Sequence, residues 1–169
     1  MGVRCSVFGV RDTVKCEAGD WSRLILWRPR REFPLPPEWV DRAWIPLGEL
    51  RPLLQAVSPV RDLSDIWRWV ADPLPMAEVE AALVMVSQLE PRPSPSGPDG
   101  AERQLELQVE GQALRAVLVL ASADREVERI ELAESQGTWL APPTPAARQA
   151  ILAVAAALRA ASGCVVVAL

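Results

Sequence analysis

Polar and apolar residues alternate most strictly over Gln104–Glu110 (QLELQVE), and a second apolar run, Ala113–Ala121 (ALRAVLVLA), follows after Gly111 and Gln112. A period of two puts every second side chain on one face of a pleated strand. A glycine between two such runs supplies the positive φ of a tight turn, so the pattern predicts a β-hairpin with Gly111–Gln112 at its tip. Arg125–Ala133 (REVERIELA) reads as a third strand, Gly137 as a further turn and Thr138–Ala141 as a short fourth strand. At the start, Val3–Val10 and Trp21–Arg28 (WSRLILWR) read as two strands joined through a charged, glycine-containing stretch, an N-terminal hairpin.

Between these strand regions the period lengthens. Leu47–Val57 places Leu50, Leu53, Leu54 and Val57 at helical spacing, with Pro52 tolerable only in a first turn. Ser58 followed by Pro59 reads as an N-cap and first helical residue, opening a helix that must stop before Pro73. A third helix runs from about Pro75 to Leu89, with Val79, Ala82, Leu83, Val86 and Leu89 on one face. These three carry most of the acidic excess and predict an acidic helical cluster in the middle of the chain. Thr144 and Pro145 open a last helix that closes at Gly163, and CVVVAL supplies a final strand. The expected fold class is α+β: antiparallel sheet, the acidic helical cluster, and a C-terminal helix followed by a strand.

Two stretches interrupt this periodicity. Pro29–Pro46 is proline-rich and reads as an extended segment anchored by Phe33, Trp39 and Trp44. Residues 91–101 combine prolines, glycines and small polar groups without a large apolar side chain, which predicts a linker or exposed loop. The expected organisation is one α+β domain over residues 1–169 with this loop at 91–101; the alternative is two small subdomains, 1–90 and 102–169. The segment PEWVDRAWIPLGELRPLL resembles one near the end of Nudix hydrolases, but the glutamate-rich helix that carries their chemistry has no counterpart in this chain.

Composition narrows the chemistry. The 169 residues include no His and no Tyr, Lys15 is the sole lysine, and Asn is absent. A chain without imidazole cannot build a Ser-His-Asp or Cys-His nucleophile, a His-ligated zinc site or a histidine pH switch. Its nine glycines form neither GxGxxG nor GxxxxGK, which removes a phosphate loop. Cys5, Cys16 and Cys164 match no metal or redox spacing; Cys5 and Cys164 read as buried apolar residues and Cys16 as an exposed thiol. Glu126 and Glu128, next to Arg125 and Arg129, read as a solvated strand face. No catalytic residue, metal site or cofactor is expected. With no long apolar stretch for a leader or a span, the expected location is cytoplasmic.

Charge is unevenly spread within a net of -4: residues 1–34 are net +3, residues 35–90 net -5 and residues 91–169 net -2. Trp21 and Trp27 lie in this basic head and Trp39 and Trp44 follow just after it, four of the seven tryptophans by residue 44 of the chain. Trp21, Trp27, Arg28, Arg30, Arg31, Phe33, Trp39 and Trp44 are therefore the candidate partner-binding residues. Aromatic anchors within a proline-rich arm suit a protein partner. Arg and Trp together suit unpaired nucleic acid, against the acidic whole. Trp67 and Trp69, about 200° apart on a helix, cannot both face one core. The expected function is a non-enzymatic protein-interaction module of the adaptor, assembly-factor, chaperone or inhibitor kind, with no membrane partner. The alternatives are a nucleic-acid-binding module using the Arg/Trp head and an enzyme with a carboxylate- or Arg-based composite site.

Overall fold

The computed structural model describes residues 21–59, 62–93, 102–122, 126–135 and 142–169. The expected strand at Val3–Val10, Cys5, Cys16, the Gly137 turn and the strand at Thr138–Ala141 lie outside the described residues.

The alternating segments form the hairpin β5 (Glu102–Val109) and β6 (Gln112–Ser122). Leu105, Leu107 and Val109 turn inward while Gln104, Glu106 and Gln108 stay half exposed. The turn falls one residue earlier than the glycine alone indicates: Glu110 (φ 52°) and Gly111 (φ 78°) occupy it, both left-handed, as a two-residue turn matched to strand twist demands. Glutamate is ill suited to that conformation and asparagine tolerates it. Glu110→Asn is therefore expected to raise stability by about 0.5–1 kcal/mol, read as a higher urea midpoint at unchanged slope.

β7 (Glu126–Glu134) pairs antiparallel with β6, β1 (Leu24–Trp27) with β7, and β8 (Val165–Ala168) with β1. β2 (Ile45–Pro46) lies parallel to β8 at one edge and β4 (Arg92–Pro93) pairs with β5 at the other, giving the order β2-β8-β1-β7-β6-β5-β4. β3 (Leu74–Pro75) pairs with the start of β7. Strands from both sides of residues 91–101 thus share one mostly antiparallel sheet, and two residues of the expected loop belong to it.

Helices cover both faces. Leu24, Leu26, Val166 and Ala168 pack toward α3 (Met76–Val86) and α4 (Pro145–Ser162). Ile25, Trp27, Val165 and Val167 pack toward α1 (Leu47–Val57) and α2 (Leu63–Val70). β1 and β8 are buried on both sides, which is why they are continuously apolar rather than alternating. The architecture is α+β, but the three middle helices do not form one cluster, because the sheet stands between α3 and the α1–α2 pair.

Helix ends follow local chemistry in part. The Thr144 Oγ1 accepts from the Ala147 N–H at 3.2 Å, Pro145 begins α4 and Gly163 closes it at φ 68°. α1 has the expected bounds, yet Pro52 lies beyond its first turn; Pro52 and Gly48 are exposed, so water can reach the carbonyl the missing N–H leaves free. α2 starts at Leu63 rather than at Pro59, with the Asp62 carbonyl accepting from Asp65 and Ile66. α3 stops at Val86, where the Ser87 hydroxyl donates to the Leu83 carbonyl (2.7 Å) and the Gln88 N–H to the Gln108 carbonyl (2.7 Å). This tie to β5 pulls the chain off the helical path, so Leu89 falls outside the expected apolar face and is exposed. Among the described residues no helix is long and apolar enough to cross a membrane.

Candidate interaction surface

The structure divides the sequence-derived candidate residues between the two cores. Trp21 and Trp44 are buried on the α3–α4 side, edge to face at 5.9 Å, with the Arg148 guanidinium 5.0 Å from each ring. Trp27 and Phe33 are buried on the α1–α2 side, 5.4 Å apart, and Trp27 lies 5.1 Å from Trp67. Trp39 is half-buried against that core beneath Arg42. Trp67 is buried and Trp69 half exposed, as their angular separation requires. The aromatic head is thus largely core: with only two phenylalanines and no tyrosine, tryptophan fills the large interior spaces.

Two of the arginines are engaged in the fold. Arg30 donates to the carbonyls of Ala71 (3.1 Å) and Arg68 (3.2 Å), and Arg28 to that of Pro73 (2.9 Å), with Asp72 alongside at 3.4 Å. They satisfy carbonyls in and just beyond the last turn of α2, where the helix dipole favours a cation. Arg31 is exposed.

Glu128 and Arg129, read from the sequence as a solvated face, are buried at 8% and 9% exposure. The β6–β7 register shifts between Val119 and Ser122, and this irregularity lets two consecutive β7 side chains depart from strict alternation. Arg129 pairs through Nη1 with Glu128 and through Nε with Glu131 at 3.1 Å. Burial pushes the Glu128 carboxyl above its ordinary range, outweighing attraction to Arg129 and Arg68, with a smaller push from Asp65. A group with a raised folded-state pKa contributes stability that is full below the ordinary value of 4.5 and lost as pH rises through the folded value. Glu128→Gln, which mimics the protonated form, is expected to match the native stability in acid and to exceed it at neutral pH. Urea midpoints across pH that run parallel would exclude this.

Cys164 is buried beside β8 and burial pushes its thiol up to about 12, so it is an inert packing group. Among the described residues no three Cys, Asp or Glu side chains converge as a metal cage requires.

A groove of about 600 Å3 lies between α3 and the β4–β5 edge. Leu83, Val84 and Leu105 give it an apolar lining, Pro91 and Pro93 wall it, and Glu80, Glu90, Glu102 and Arg103 line it with charge. Val84, which lines it, is exposed at 55%, and Met85 and Leu89, each next in the chain to a lining residue, at 86% and 62%: three large apolar groups within six residues of chain. The sequence signal for this patch is the apolar run LVMV in α3, which is more apolar than a helix covering one sheet face needs. Against known proteins, no family matches the chain, and neither a curated protein nor a solved structure matches it.

Proposed function

We propose that this chain is a non-enzymatic protein-interaction module, of the adaptor, assembly-factor, chaperone or inhibitor kind, and that it docks its partner on the face formed by the end of α3 and the turn into β4. The observation that carries the reading is the exposure of Val84, Met85 and Leu89 beside an apolar-floored groove. Isolated surface leucines are ordinary, but neighbouring large apolar groups at the mouth of a cleft favour association, because covering them releases ordered water. The nucleic-acid alternative draws less support, since Arg28 and Arg30 already serve backbone carbonyls.

The test replaces Met85 and Leu89 by Asp. Both side chains are exposed, so thermal stability should stay nearly unchanged. A partner isolated with the native chain, then purified, should bind the Met85→Asp, Leu89→Asp variant at least about tenfold more weakly. Equal affinity with the fold intact would overturn the assignment of this face.

A further inference from the structure

We infer that the segment this face receives is basic as well as apolar: a stretch of partner protein presenting large apolar side chains between lysines or arginines. The inference rests on the docking face proposed above and specifies its occupant. Three carboxylates, Glu80, Glu90 and Glu102, line the groove against the one guanidinium of Arg103. Arg103 Nη1 already donates to Glu80 Oε2 at 3.2 Å, which neutralises one carboxylate from within the fold. Glu90 and Glu102 are exposed and have no ion pair among the described residues; exposed Arg92 of β4 offsets one of these charges, and the net field that an approaching ligand meets at this edge stays negative. Apolar walls beside them concentrate that field, and a cation flanking a buried apolar side chain would meet both.

Other occupants fit less well. A two-fold dimer through this face would set the carboxylates against their own copies in a chain already at net -4. Phosphate-bearing surfaces would be repelled by the same groups. Addition of a partner strand is hindered by β4, which is two residues long and includes Pro93, a residue with no N–H to offer. Recognition therefore falls to side chains, as when an amphipathic helix lies in a groove.

The experiment titrates the full chain with two helical peptides that share one leucine face, the first carrying lysine and arginine on its other positions and the second glutamate. The basic peptide should bind and shift the amide resonances of Glu80, Val84, Glu90 and Glu102–Leu105, and the acidic peptide should not. Glu90→Gln with Glu102→Gln should weaken the basic peptide by roughly three- to tenfold, and added salt should act in the same direction. Binding by neither peptide, equal binding by both, or no effect of the glutamine changes would overturn the basic occupant. So would self-association that Met85→Asp abolishes, since the occupant would then be a second copy. Whether the docking face itself stands is read separately, from the affinity of the isolated partner for the Met85→Asp, Leu89→Asp variant.

Discussion

Removing residues 163–169 is expected to leave a chain that does not fold. β8 is an interior strand, antiparallel to β1 on one side and parallel to β2 on the other. Cys164, Val165, Val166 and Val167 are almost wholly buried, with Val166 facing the α3–α4 core and Val165 and Val167 the α1–α2 core. Losing their burial forfeits about 1.5–3 kcal/mol per large side chain, so the four together remove an amount comparable to the 5–15 kcal/mol that holds a typical domain. Deletion also strips hydrogen-bond partners from β1 and opens both cores at once. Expression of the truncated chain followed by circular dichroism and thermal unfolding reads the outcome. A soluble product with a cooperative transition would show that β8 is dispensable. Val167→Ala provides the graded comparison: it should fold and lose roughly 1–3 kcal/mol by removing apolar volume from a buried site.

Replacing Arg129 by methionine is expected to cost about 3–5 kcal/mol, because it leaves buried carboxylates without the cation that neutralises them. Arg129 joins Glu128 and Glu131, and all three side chains are largely withdrawn from water. Methionine keeps much of the aliphatic length, so the loss measures charge rather than a cavity. The deficit should shrink as pH falls, since protonation of Glu128, whose carboxyl burial holds above its ordinary range, removes uncompensated charge; urea unfolding of both proteins at neutral and acid pH reads this directly. Converting all three positions together, Glu128→Leu, Arg129→Met and Glu131→Leu, should recover most of the loss, as apolar packing replaces the ion cluster. A small cost for Arg129→Met that does not vary with pH would mean that water reaches the cluster in solution.

Several features of this fold were written locally and could be read from the chain. Thr144-Pro145 and Gly163 bound α4 because a cap hydroxyl, a fixed φ and a glycine in the left-handed region act on their immediate neighbours alone. The β5–β6 hairpin follows from period-two alternation, and the continuous apolar run of β8 follows from burial on two faces. The exclusion of histidine chemistry needs no structure at all. Tertiary structure decided how these pieces face one another. Composition could not say whether Trp21, Trp27 and Trp44 were anchors for a partner or for the core, because an indole serves both equally and only the packing of α1 to α4 around the sheet made the choice. Glu128 and Arg129 are charged neighbours, and strict alternation would turn only one of them inward; a register shift between β6 and β7 lets both turn inward, and the pairing of the two strands fixes where that shift falls. Leu89 fits an apolar helical face on paper, but the hydrogen bond from Gln88 to Gln108, a residue twenty positions away in the chain, ends α3 early and leaves the leucine in water beside the groove.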